Sequence, residues 1–159
     1  MKRLYVVLII VAVLVLSTCI DPLWDFPEIP SLGLQTTQDV MQWVADYVTF
    51  QSDSIHYPAD DYWQSPAQTY VWGHGDCEDF AILALYLECR DVGIKGRLII
   101  GTVWGGGHAW LWADGHFWEP QWGWTIDGDP NYSIMYSISY DEAIERATTT
   151  HKSLVGELE

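Results

Sequence analysis

Cys77 stands in the segment Gly73-His74-Gly75-Asp76-Cys77-Glu78-Asp79-Phe80-Ala81, and His108 follows in Gly107-His108-Ala109-Trp110. A thiol and an imidazole are the pair that acyl transfer through a covalent intermediate requires, one to attack a carbonyl and the other to take and return the proton. A third group, commonly a carboxylate, keeps the imidazole in the right tautomer. Glu119 is the first candidate for that role and Asp127 the second.

The elements that would position these groups follow from local signals. Asp76 is a good N-cap, Asp79 stands three residues on in capping-box position, and an apolar run begins at once. Cys77 is therefore expected to open a helix, where unpaired N–H groups and the positive end of the macrodipole favour thiolate over thiol. The run Phe80 to Leu87 is apolar nearly all round, so this helix should be central and buried, reaching about Val92 with Gly93 as its stop. Strand-like runs follow at 96–104, 108–113 and 117–121, and Asp114-Gly115 is a two-residue hairpin turn that sets Glu119 a residue or two off register from His108. Upstream, Thr36 or Thr37 caps an amphipathic helix carrying Val40, Met41, Val44 and Val48, while 51–72 reads as a loop. Residues 132–138 read as a further strand, 141–147 as a short helix and 149–159 as a polar tail. The sum is an α+β fold, a central helix packed on an antiparallel sheet.

Met1-Lys2-Arg3 precedes an uninterrupted apolar stretch, the charged and hydrophobic regions of an export signal. Residues 1–19 are read as a signal peptide or membrane anchor, with Leu16-Ser17-Thr18-Cys19 as a lipobox-like site at Cys19. Residues 20–35 hold three prolines and read as a tether that, fully extended, spans roughly 40 Å. One domain, 36–148, is expected beyond it. The expected location is the cell envelope, outside the cytoplasm and held to the membrane by the N-terminal segment or a lipid.

Beyond the leader five basic residues face all 22 acids, which argues against a nucleic-acid partner and favours substrates neutral or basic around the target. Cys77 and Cys89 would lie twelve residues apart on one helix, about 18 Å along its axis, and cannot bridge each other. A thiol left free at Cys77 in an oxidising compartment calls for a purpose, and catalysis supplies one.

Gly75-Asp76-Cys77-Glu78-Asp79-Phe80-Ala81, Gly93-Ile94 with Arg97, Gly107-His108-Ala109-Trp110 and Trp118-Glu119-Pro120 together resemble the transglutaminase-like cysteine peptidase superfamily. The resemblance spans about residues 60–121 and implies a papain-like core with the cysteine opening the central helix and the histidine and acid on adjacent strands. Tyr62-Trp63 with Pro66 resembles, within it, the bacterial periplasmic cysteine proteinases that cleave surface adhesins. It also implies calcium at Asp76, Glu78 and Asp79, acids for which helix capping is the other role. The Cys77 N–H would stabilise the oxyanion with a second donor from upstream, Trp72 being preferred over Gln64 and Gln68.

The function expected from all this is a peptidase working through Cys77, His108 and Glu119, with no cofactor required, calcium as an optional ion, and a protein or peptide substrate. The protein is expected to act as a monomer. Alternatives are a transglutaminase-type acyl transferase, which shares the same acyl-enzyme, and a non-catalytic binding module in which Trp104, Trp110, Trp112, Trp118, Trp122 and Trp124 form a stacking platform. A zinc site from His74, Cys77 and His108 with His116 or Cys89 is a further arrangement that the spacing permits.

Overall fold

The computed structural model describes residues 26–53 and 61–156. The expectations for the leader, for Cys19 and for residues 20–25 lie outside them. Among the described residues no helix is long and apolar enough to cross a membrane.

Helix α1 (Thr37–Tyr47) starts at Thr36, whose hydroxyl accepts from Asp39 N–H while the Asp39 carboxylate accepts from Thr36 N–H, so two of the orphan donors of the first turn are satisfied. Val40, Met41 and Val44 point inward and are buried, as their three- and four-residue spacing dictates. A short parallel pair joins β1 (Thr49–Phe50) to β2 (His74–Gly75). Between them lies α2 (Pro66–Trp72), in the region expected to be loop. Its start carries a Ser65–Gln68 capping box with proline at the first helical position, a signal masked by the aromatic and polar composition around it.

Helix α3 (Cys77–Leu87) is the centre of the molecule. Every residue from Glu78 to Leu87 is buried, and each large apolar side chain there contributes about 1.5–3 kcal/mol. The helix widens into a π-type turn at Glu88–Val92 and stops at Gly93, whose positive φ of 83° closes it. The buried Glu88 carboxyl in that turn accepts from Thr37 Oγ1 and ties α3 to α1.

The sheet is five-stranded and antiparallel in the order β6-β5-β4-β3-β7, from β3 (Arg97–Val103), β4 (Gly106–Ala113), β5 (His116–Glu119), β6 (Trp124–Thr125) and β7 (Tyr132–Ser139). Leu98, Ala109 and Leu111 face α3, while Ile99, Trp110 and Ile126 form a smaller cluster on the other side. Asp114 and Gly115 make the β4–β5 turn with φ of 50° and 82°, the backbone a two-residue hairpin demands.

Two segments depart from expectation. Residues 26–35 are no free tether: Ile29 is a core residue, Phe26, Leu32 and Leu34 pack against that core, and Arg90 donates to the Ile29 carbonyl. The apolar residues between the prolines find a surface to cover, which outweighs the stiffness that suggested a spacer. At the other end α4 (Tyr140–Gly156) continues far past 147. Thr148, Thr149 and Thr150 each donate a hydroxyl to the carbonyl four residues back, so polarity there does not interrupt the helix.

Candidate active site

The rigid, buried α3 fixes its first residue, Cys77, against the start of β4. Cys77 and His108 line one cleft of about 340 Å³, at the small end of the range for ligand pockets. Cys77 is the free cysteine among the described residues.

His108 Nε2 lies 2.7 Å from Glu119 Oε2. Glu119 is fully buried and also accepts from Tyr132 Oη at 3.0 Å and from Gln121 N–H at 3.2 Å. The imidazole is flanked by Trp110, with centroids 6.0 Å apart, and by Tyr132 at 6.1 Å, so its plane is held from two sides. Asp127 is occupied elsewhere, bonding His116 Nδ1 at 2.6 Å and accepting from Phe117 N–H at 2.7 Å. Those two contacts hold the Asp127 carboxyl below the usual carboxylate range, the backbone bond foremost. The acid that the fold brings to His108 is Glu119.

Around the thiol the electrostatics differ from the helix-start expectation. Cys77 Sγ donates to Glu78 Oε2 at 3.1 Å. Burial, then the Glu78 carboxylate and Asp76, push the thiol above its ordinary range, and the Ala109 N–H offsets this only in part. A helix dipole supplies roughly 0.3–1 kcal/mol at an exposed end, too little against desolvation and two acids. The acids are themselves strained: burial and the neighbouring Asp76 raise Glu78 to about 10, burial raises Asp53 to about 6, and burial with Asp76 holds Asp79 well above the usual range.

Asp53, Asp76 and Asp79 each bring a carboxylate oxygen within 4.8 Å of the others. Asp79 is anchored by accepting from Gln64 N–H at 2.8 Å and Asp76 N–H at 3.1 Å, while buried Asp76 Oδ1 has no partner. Hard oxygens, an orphan acceptor and mutual repulsion are what a divalent cation of the calcium type relieves, so the donor set fits such an ion. Asp53 was not among the acids singled out by sequence, because it reaches the cluster only through the fold. No histidine belongs to any such cluster among the described residues, and the zinc arrangement does not assemble: His108 is with Glu119 and His116 with Asp127.

Trp72 stacks on His74 at 5.8 Å and meets Phe26 edge-on at 5.9 Å; it is not among the residues lining the cleft. Gln68 Oε1 accepts from Tyr62 Oη, and Gln64 is buried with its Oε1 unpartnered. Of the six tryptophans considered as a platform, Trp110 and Trp118 are core, while Trp104, Trp122 and Trp124 cluster on the surface.

A profile of the transglutaminase-like superfamily core matches residues 29–126, more than half of the chain. The chain belongs to the transglutaminase-like superfamily. Like other members of that superfamily it has the cysteine at a central helix start and the histidine and acid on neighbouring strands, here β4 and β5. Solved structures of Legionella pneumophila LapG share the fold: one superposes with a TM-score of 0.54 at 23% identity, covering 64% of this chain and 61% of that one. The calcium-bound form of LapG gives 0.50 at 22% identity, covering 64% and 62%. The chain thus spans less than two thirds of LapG's length. No curated protein matches the sequence.

Proposed function

We propose that this transglutaminase-like chain is an exported, membrane-anchored cysteine peptidase that cleaves amide bonds in protein or peptide substrates. The observation that carries the reading is the buried His108–Glu119 pair beside a cleft that also holds the free thiol of Cys77. The leader, Met1 to Cys19, supports export and envelope location, and the acidic surface a protein rather than a nucleic-acid substrate.

Glu119 accepting at Nε2 calls for the Nε2–H tautomer, which leaves Nδ1 to take the thiol proton. Cys77 Sγ then attacks the substrate carbonyl, the helix-start N–H of Cys77 facing the oxyanion, and His108 returns the proton to the leaving amine. Water attacking the acyl-enzyme completes hydrolysis; an amine in its place would give transamidation. Hydrolysis is favoured by the excess of water at an open extracytoplasmic cleft.

LapG has been obtained calcium-bound, and Asp53, Asp76 and Asp79, with Glu78 adjacent, are the residues that would hold such an ion here. Bound there, calcium supplies positive charge beside the thiol. Chain residues alone set the remaining steps.

The test is Cys77 alkylation by iodoacetamide against pH, with calcium or EGTA, in the wild type, Cys77→Ser and His108→Ala. With calcium, reactivity that persists below the ordinary cysteine pKa of about 8.5 and weakens in His108→Ala is the expected result; in EGTA, burial and the neighbouring acids should hold the thiol above that value. An ordinary thiol indifferent to His108 would move the reading to the binding module, for which the surface group Trp104, Trp122 and Trp124 is the natural platform.

A further inference from the structure

The cleft is lined in part by α4, beyond the residues that the superfamily profile matches. Arg146 of α4 lies there with its guanidinium carbon 3.9 Å from the centre of the Trp63 ring. Trp63 is itself buried, and its indole N–H donates to Asp61 Oδ1 at 2.9 Å, so the ring that carries the guanidinium is fixed. Asp61 Oδ2 approaches Arg146 Nη2 at 3.7 Å, a one-sided contact between side chains that are 62% and 47% exposed.

Stacking holds an arginine by its face and leaves the fork of N–H donors along its edge free to meet a planar acceptor. The long Asp61 contact is a weak competitor, since exposed ion pairs of this kind contribute little. Among the described residues lining the cleft, Arg146 is the single lysine or arginine, set among Asp61, Asp76 and Glu78. A lone, face-anchored guanidinium at the rim of an acidic cleft is arranged for recognition rather than for neutralising the fold.

We propose that Arg146 is the specificity-determining cation of this cleft and that the substrate is a polypeptide bearing a carboxylate, an Asp or Glu side chain or a chain terminus, close to the bond that Cys77 attacks. The inference rests on the proposed thiol chemistry and narrows it: the net charge of the chain disfavours acidic proteins at long range, whereas this one residue selects a carboxylate at contact range. The substrate carboxylate replaces Asp61 at the guanidinium edge while Trp63 keeps the guanidinium in place.

The test uses two alkylating probes that differ in charge, iodoacetate and iodoacetamide, on the full chain, with the ratio of their second-order rates at Cys77 as readout. The neutral reagent normalises for any change in the thiol itself. Arg146→Gln is expected to lower the iodoacetate-to-iodoacetamide ratio about fivefold, the effect of one charge at roughly 4 Å in bulk water. Arg146→Lys, which keeps the charge and loses the fork, should retain part of the ratio, and Asp61→Asn should raise it. A reactive thiol whose ratio is unmoved in Arg146→Gln and Asp61→Asn overturns this inference and leaves the peptidase reading standing. A thiol inert to both reagents in the wild type overturns the two together.

Discussion

Glu119 sits 2.7 Å from the His108 ring although the two are not register partners. The pairing Leu111↔Trp118, carried one step further, puts Glu119 opposite Trp110, two residues along from His108 and on the same face of the sheet. Diagonal neighbours of that kind lie within reach of a long side chain. The extra methylene of glutamate closes the gap. Glu119→Gln should therefore lower kcat by about 10²-fold or more, because loss of a triad carboxylate leaves the imidazole in the wrong tautomer. Asp127→Asn should leave kcat near wild type, and equal losses in both variants would refute the assignment.

Tyr132 holds the same carboxylate from the other side. Tyr132→Phe removes one hydrogen bond to Glu119, typically about 0.5–1.5 kcal/mol, and is expected to lower kcat roughly 3- to 10-fold with little change in KM. A change confined to KM would instead place the hydroxyl at the substrate.

Stability should run against the usual acid trend in the absence of calcium. Burial lifts Asp53 to about 6 and Glu78 to about 10 in the folded chain, above their unfolded values, so the folded state binds more protons than the unfolded one over that interval. The stabilisation is fully present below about pH 4 and is lost as pH rises through about 6 for Asp53 and about 10 for Glu78. Thermal unfolding in EGTA should show Tm falling from pH 4 to pH 8. Calcium should raise Tm by several degrees at pH 7.5 and much less at pH 4.5. A Tm that climbs with pH in EGTA would contradict the buried acid cluster.

Gly75 is fixed by contact with Asp79. A Cβ added there would stand 2.5 Å from Asp79 Cβ and Oδ2, so the cap and the acid cluster leave no room for a methyl group. Gly75→Ala should destabilise by about 1–3 kcal/mol and diminish the calcium-dependent rise in Tm. An alanine variant with unchanged Tm and an unchanged calcium response would show that Asp79 has space to move.

What could be read from sequence was what local signals encode. Cys77 as a helix start follows from Asp76 and Asp79 within four residues, and the His108–Glu119 proximity follows from one hairpin turn. Asp53, Tyr132 and Arg146 were invisible because each reaches the site through tertiary packing with no nearby motif. The surroundings of the thiol were not legible for an instructive reason: a cap signal reports the dipole, but desolvation and the direction of the Glu78 carboxyl are set by the whole core. Residues 26–35 misled in the opposite way, since prolines announce stiffness and say nothing of whether Ile29 has a surface to cover.

Strand β7 ends at Ser139 and α4 begins at Tyr140 with no connecting loop. The angular position of every α4 side chain about its axis is therefore counted out from the sheet. One residue inserted at that junction would turn the helix by about 100° and sweep Arg146 away from Trp63 while leaving every cleft side chain chemically intact. Chain length at 139–140 is in this sense a recognition element of its own, and natural length variation there would retune selectivity without touching the thiol, the imidazole or the carboxylate.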